Sequence, residues 1–558
     1  MNKINIAVLA LAALTFSSCA DLSYNESSTR DEEWTYDAPL QGVKNLVWDV
    51  YAQVPSELKS NESGAFLASA TDEAEFANTL SRIRNYYNGA WSPSQPFSNT
   101  WVNSYRAIAQ IHMYMERIDK IDLSPYQYDP NYPTYVQQFE LFPYELRFLR
   151  ALFYFELVRA YGDVPLVTTT LTNQQANNVK RTPASEIFKF IEEECDAVAE
   201  YLPVTYMDVP GQEVGRATRG AVMGLKARAL LYAASPLFNP ENDKELWRKA
   251  AEANKYVIDH ASLWGYSLSE YANLWGYDSF YNKEFIFAIG STEANDIERA
   301  NYPIGVEGGN SGNCPSQSLV DAYEYQATGK TFGEMNPGTI DLATTDPYAG
   351  LDPRFALTVV KNGDSWPTNS VQAITIETFN GGFNGAPKRL ATPTGYYLRK
   401  LLDGNCKTTV NEPSNSRHTW SYMRLAEFYL NYAESVYNYT GDATSAAEFG
   451  MSANDAVNVL RSRPDINMPL FEGNTGFEER YMRERMVEFA FEGMRFWDVR
   501  RWKKGKDFFS KIAVANISSN LTLTRTVKTR LWEEKYNLYP IPQTELNKNG
   551  NLVQNPGW

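Results

Sequence analysis

The sequence predicts a mainly α protein: a tetratricopeptide-like scaffold of helical hairpins carrying an inserted loop-rich, strand-poor lobe. Three observations lead there. Apolar residues recur with a 3.6-residue period in segments gathered toward the two ends of the chain. Several of these segments pair across short connections, and the first of each pair interleaves Ala with Tyr or Phe, so that small and large side chains interlock between neighbours. The stretch from Ala261 to Gly404 lacks that period and is rich in Gly, Pro, Asn and Thr, a composition of turns and loops.

At the N-terminus, Lys3 precedes an apolar run from Ile4 to Phe16, followed by Ser17-Ser18-Cys19. The run is too short to span a bilayer and reads as a secretory signal over residues 1–18. Small residues before a cysteine resemble a lipoprotein signal, which implies acylation of Cys19; two or more acyl chains there would anchor the chain stably. No later segment reaches 18 continuous apolar residues, so membrane attachment is expected through lipid alone. The polar, acidic stretch over 19–38 reads as a flexible tether.

A helical region follows over 39–260. Its segments run through Leu40–Leu58, Thr100–Ile121, Tyr135–Tyr161, Pro183–Tyr201, Arg219–Ala234 and Glu245–His260. Thr182-Pro183 with Glu186 signals a helix start, and Gly162 a C-cap. The Tyr135 segment pairs with the Pro183 segment, and the Arg219 segment with the Glu245 segment. A third pair, Ser421–Tyr439 with Ser452–Arg463, lies in the C-terminal region 405–558, which completes the scaffold and ends in the helical run Gly476–Trp502.

The lobe over 261–404 holds short strand candidates at Glu284–Gly290, Val371–Thr378 and Tyr396–Leu401. Loops on a rigid scaffold are where binding residues gather. Here aromatics accompany turn residues instead of following a helical period: Trp264, Trp275, Tyr277, Tyr281, Tyr302, Trp366, Phe379 and Phe383. A second such patch, Arg84–Trp101, contains Trp91 and follows Thr71-Asp72-Glu73. Sugar rings pack their C–H faces on aromatic faces and satisfy their hydroxyls on Asp, Asn and Arg, and both patches offer that mixture. Packing beneath a loop is the competing role for each ring.

Arg480–Trp502, RYMRERMVEFAFEGMRFWDVRRW, crowds unlike charges among aromatics. Glu484, Glu488 and Glu492 share an i, i+4 stripe, where like charges repel by a few tenths of a kcal/mol per pair. They require cations, and Arg480, Arg485, Arg495, Arg500 and Arg501 lie close by in sequence. A charge left unpaired among Phe489, Phe491, Phe496, Trp497 and Trp502 would be costly, so Glu488, Glu492, Arg495 and Asp498 are expected to form a satisfied structural network.

This run resembles the C-terminal signature of the RagB/SusD family of outer-membrane glycan-binding lipoproteins. YELRFLRALFYFELVRAYGDVPLV at Tyr144–Val167, SYMRLAEFYLNYAESVYN at Ser421–Asn438 and YPIPQTELNKNGNLVQNPGW at Tyr539–Trp558 resemble its other motifs, in order. The resemblance implies the same architecture, an outer-membrane, cell-surface location, and capture of an oligosaccharide or polysaccharide for delivery to a TonB-dependent, SusC-like barrel. It places a stacking tyrosine at Tyr302 beside Asn301, and aromatics just after Thr71-Asp72-Glu73. Phe76 is the nearest match to these, while Asn78 stands where a second aromatic is expected and departs from a double-stacking platform. Asp72, Phe76, Trp91, Trp275, Asn301 and Tyr302 are therefore the candidate glycan-binding residues.

Composition bounds the alternatives. A net charge of −15 with no long Lys/Arg block argues against nucleic acid and against anionic membrane surfaces, and mildly favours neutral over sulfated glycans. Aromatics make up 14% of the residues, more than an aliphatic core requires, so some are expected to serve recognition. Only three histidines occur, and His112 reads as a core residue. No nucleophile elbow, zinc-protease, dinucleotide or phosphate-loop motif is present, so no catalytic residue and no cofactor is assigned. A glycosidase needs only two carboxylates about 5–10 Å apart, and with a peptide-binding helical adaptor it remains an alternative. Cys195, Cys314 and Cys406 show neither a disulfide framework nor zinc spacing, though one bridge of Cys406 to either partner stays open.

Overall fold

The computed structural model describes residues 40, 42–59, 63–206, 215–277, 279–367 and 373–558. The predicted signal peptide, Cys19 and the tether lie outside them. The scaffold consists of α1 (Gly42–Ala52), α2 (Thr100–Met115), α3 (Tyr132–Tyr161), α4 (Ala184–Val198), α5 (Arg219–Ala234), α6 (Lys244–His260), α7 (Leu425–Thr440) and α8 (Ala453–Arg461). Each helix from α2 to α8 packs on the next, so the three expected hairpins form and α2–α3 adds a fourth. The lobe enters between α6 and α7 without breaking the stack.

Local chemistry sets the helix ends. Thr218 accepts the Ala221 N–H at the start of α5, and Ser452 forms a capping box with Asp455 at α8. Gly162 and Gly441 stop α3 and α7 in positive-φ conformations that other residues rarely adopt. Small residues allow close approach: a Cβ at Gly224 of α5 would stand 2.9 Å from Phe428 Cζ on α7.

Strands are short: β1 (Ala74–Phe76), β2 (Phe285–Gly290), β3 (Asn313–Pro315), β4 (Val359–Val360), β5 (Tyr397–Leu398), β6 (Thr419–Arg424), β7 (Lys511–Ile517) and β8 (Thr522–Thr529). The antiparallel pairs β1–β3 and β2–β6 tie the lobe to both flanking regions, β4–β5 forms within the lobe, and β7–β8 is a hairpin. This hairpin was not anticipated, although its alternating residues carry the strand period. Among the other strand candidates, Glu284–Gly290 holds nearly whole, whereas Val371–Thr378 and Tyr396–Leu401 shrink to two-residue pairings.

Two helix expectations are corrected. Ser421–Arg424 belongs to β6, because β2 supplies it with a ladder partner, and α7 begins only at Leu425. Gly476–Trp502 is not one helix but α9 (Phe477–Glu488) and α10 (Met494–Arg501), separated by a turn in which Phe491 and Gly493 have φ of 62° and 75°. Glu492 therefore leaves the stripe of Glu484 and Glu488.

The turn delivers these carboxylates into a buried ion network. Glu488 meets Arg354 at 2.8 Å, Arg424 at 2.7 Å and Arg463 at 2.9 Å. Glu484 meets Arg354 at 2.6 Å and also Arg461, and Glu492 meets Arg424 at 2.7 Å and Lys400 at 2.8 Å. Burial alone would raise the Glu488 pKa, but the three guanidiniums outweigh it and hold the carboxyl well below the usual range. The cations come from the lobe (Arg354, Lys400), from β6 (Arg424) and from the end of α8 and just beyond it (Arg461, Arg463), not from neighbours in sequence. Arg495 pairs instead with Asp72, at 2.8 Å, and Asp498 with Arg485 and Arg501. Three adjoining clusters replace the single expected network.

Candidate functional site

The structure puts most of the predicted sugar-binding residues inside the protein. Tyr302 is 0% exposed; its hydroxyl donates to the Cys406 carbonyl at 3.1 Å, and its ring meets Trp366 edge-on at 5.7 Å. Asn301 is 0% exposed and spends its amide on Ile297, Asn313 and the Asn313 backbone. Phe76 lies in β1 within the core, and the Asp72 carboxylate is taken by Arg495. Trp91 packs edge-on against Tyr539 and Trp558, both at 5.0 Å, so it seats the C-terminal tail. Trp275 keeps partial exposure, but the Lys400 ammonium lies 4.2 Å from its ring centre. The expectation that these residues line the binding surface is therefore corrected for five of the six: burial leaves no open ring face at Tyr302, Phe76 or Trp91, and the polar groups of Asn301 and Asp72 are already satisfied.

Within the lobe, the rings that do reach solvent are others named there, while outside it Tyr128 and Tyr201 are exposed as well. Phe383 is 54% exposed, Tyr281 62% and Tyr277 42%. Phe383 stands in the run Gly381-Gly382-Phe383-Asn384-Gly385, with no apolar neighbour to cover it. Its backbone is fixed, because its N–H donates to Glu377 at 2.9 Å and its ring edge rests on Gly305, where a Cβ would collide. The Lys388 ammonium sits 3.9 Å from the ring centre. Tyr277 donates to Glu293, which also meets Arg417 at 3.0 Å, and the Arg417 guanidinium lies 5.4 Å from the tyrosine ring centre.

Hydrogen bonds tie these loops to one another. Asn384 donates to the Ile304 carbonyl at 2.6 Å, the Val410 N–H to Glu307 at 2.9 Å, and Ser416 and Ala294 exchange backbone bonds. The turn at Asn78–Leu80 follows β1, whose next N–H, that of Ala77, donates to Gly312 at 2.8 Å; Leu80 there is 89% exposed. The surface thus offers apolar faces from Phe383, Tyr277 and Leu80 beside Lys388, Arg417, Glu293 and Glu307. Flat C–H faces with hydroxyls at their rims fit that arrangement. Sequence reasoning missed Lys388, Arg417, Glu293, Glu307 and Leu80, which carry no motif; the signal for Phe383 was its isolation among glycines.

His112 is buried, and burial lowers its pKa to about 4, in keeping with a core histidine. Cys195, Cys314 and Cys406 are all buried and none is bridged to another, so neither bridge considered for Cys406 forms. Among the described residues no group of three or more His, Cys, Asp or Glu is placed to hold a metal ion, and no helix is long and apolar enough to cross a membrane.

Comparison with known proteins agrees with this architecture at both ends. Residues 283–558 match the SusD family, and residues 25–231 match a family described as starch-binding and associating with the outer membrane. The chain belongs to the SusD family. SusD-like protein P2 of Formosa agariphila is 24% identical over 422 residues, spanning 74% of this chain and 73% of that protein. A SusD-like protein from Bacteroides fragilis shares 26% identity and a TM-score of 0.78, covering 95% of this chain and 99% of its own. A laminarin-binding SusD-like protein has the same fold at 20% identity and a TM-score of 0.61, over 95% of this chain and 100% of that one. The family description connects this SusD-family chain with association at the outer membrane.

Proposed function

We propose that this SusD-family protein captures a neutral glycan on the loop surface around Phe383 and Tyr277, and passes it to a TonB-dependent, SusC-like barrel while anchored to the outer membrane, exposed at the cell surface, through Cys19. The observation that carries the reading is that two exposed aromatic rings on loops of the inserted lobe, Phe383 and Tyr277, are each held beside a charged side chain. Binding to laminarin by a relative of the same fold supports a glucan as the first ligand to try. The role is capture, not catalysis. Titration of the protein with laminarin, starch and a panel of other plant, fungal and host glycans tests it. Phe383→Ala is expected to weaken the glycan bound by wild type about tenfold, as loss of an aromatic anchor does, with little shift in melting temperature because the side chain is largely exposed.

A further inference from the structure

Away from the loop surface, the start of α2, strand β6 and the turn at Gly493 enclose a cleft of about 370 Å³, in the range of small-ligand pockets. Its walls mix aromatic rings with polar groups: Tyr86, Trp420 and Trp497 alongside Asn99, Asn103 and Glu57. The end of the aromatic patch that Trp91 opens therefore borders a cavity, although Trp91 itself does not.

Glu57 is the acid in this cleft that forms no ion pair among the described residues, Arg159 acting on it only at a distance. It is half-buried, and its Oε2 accepts the Leu67 N–H at 2.7 Å; among the described residues it has no other hydrogen bond and no ion pair. Space for it comes from Gly493, where a methyl group would collide with Glu57 Oε1. The charges around it are engaged elsewhere. Arg159 on α3 binds Glu156 at 2.6 Å and lies 4.3 Å from the Trp497 ring centre. Arg228 on α5 binds Glu427, Glu492 binds Arg424 and Lys400, and Arg82 leans 5.6 Å from the Phe97 ring centre. Buried Glu73 does not bond to Glu57. Trp420, on β6, packs in the core and presents only an edge to the cleft beside the acid.

We propose that this cleft is a second ligand site, which takes an amino sugar with its ammonium on Glu57 and its hydroxyls on the exposed Asn99 and Asn103 amides. An ammonium supplies the missing charge through a charge-assisted hydrogen bond. A plain hexose would fill the space without satisfying the carboxylate. Burial pushes the Glu57 carboxyl up to about 7, against the Leu67 N–H and nearby Arg159. The amine preference therefore belongs to the ionised form, strengthens as pH rises through that value, and fades in acid.

Calorimetric titration of the full chain in detergent with glucosamine and with glucose, near pH 7.5 and near pH 5.5, decides it. Glucosamine is expected to bind about tenfold more tightly than glucose at the higher pH, the scale of a hydrogen bond to a charged group, and the advantage should shrink at the lower pH. Glu57→Gln keeps the acceptor for Leu67 and should abolish the preference. Asn103→Trp, at an exposed rim position, should block both sugars without disturbing the core. Equal binding of the two sugars, a preference that survives Glu57→Gln, or no binding by wild type overturns the proposal. Phe383→Ala separates this site from the loop surface: loss of polysaccharide binding with glucosamine binding intact upholds both sites, and intact polysaccharide binding overturns the loop surface alone.

Discussion

Glu73 is fully buried, and neither of its carboxyl oxygens has a hydrogen-bond partner among the described residues. Burial and neighbouring Asp72 push its pKa well up, with Arg495 and Lys400 offsetting only part of that. The folded protein therefore holds this proton more tightly than the unfolded chain, where a glutamate titrates near about 4.3. The resulting stability is complete below that value and is lost as pH rises toward the folded pKa. Glu73→Gln, which keeps the shape without the charge, should raise the melting temperature at pH 8 and change it little at pH 4; a lower melting temperature at pH 8 would contradict this. The sequence showed Asp72 and Glu73 as a pair but not their separate fates, because an ion pair with Arg495, more than four hundred positions away, cannot be read from spacing. The same limit explains Tyr302. A tyrosine in a loop after a strand has the same local sequence whether it faces solvent or, as here, is covered by Trp366 and the segment around Cys406. Phe383 was more legible in principle, since three glycines and an asparagine around one ring leave nothing to bury it.

At the scale of elements, period and caps placed the helices well, and α5 falls on its expected bounds. The signature run failed at its turn because tertiary bonds override helical propensity: Glu492 is drawn out of the stripe to Arg424 and Lys400. That the carboxylates need partners was legible; that Arg354, Arg424 and Arg463 would supply them was not. Glu492→Ala leaves Arg424 and Lys400 short of a buried counter-charge and should destabilise by roughly 3 kcal/mol or more, with unchanged glycan affinity in the protein that still folds. An unchanged melting temperature with lost binding would contradict the structural role. Glu488 makes the opposite pH contribution to Glu73. Its depressed pKa gives stability that is present above the unfolded value and lost as pH falls through the folded one. Chemical denaturation from pH 7 down to pH 2 should show an acid-side loss of stability that diminishes in Glu488→Gln relative to that variant's own value at pH 7.

Over the whole molecule, a seven-helix stack and the inserted lobe divide the work: helices and buried charges hold the frame, and the lobe's loops carry the exposed rings Phe383, Tyr281 and Tyr277. The division was legible because composition changes sharply at Ala261, whereas the choice of rings was not, because burial depends on how loops fold back on the scaffold. Attachment is a property of the whole chain: Cys19→Ala should release it from the outer membrane into a soluble fraction, and a mutant that stays membrane-bound and acylated would rule out that anchor. The central claim is that the loop surface, not the buried signature, recognises the glycan. Its most direct measurement is parallel calorimetry of wild type, Phe383→Ala and Tyr302→Phe against a glycan that wild type binds, beginning with laminarin. Phe383→Ala should lose about tenfold in affinity while melting like wild type, and Tyr302→Phe, which removes only a buried hydroxyl bonded to backbone, should melt earlier while binding normally. Normal binding by Phe383→Ala together with weakened binding by Tyr302→Phe would contradict the account and return the site to Tyr302.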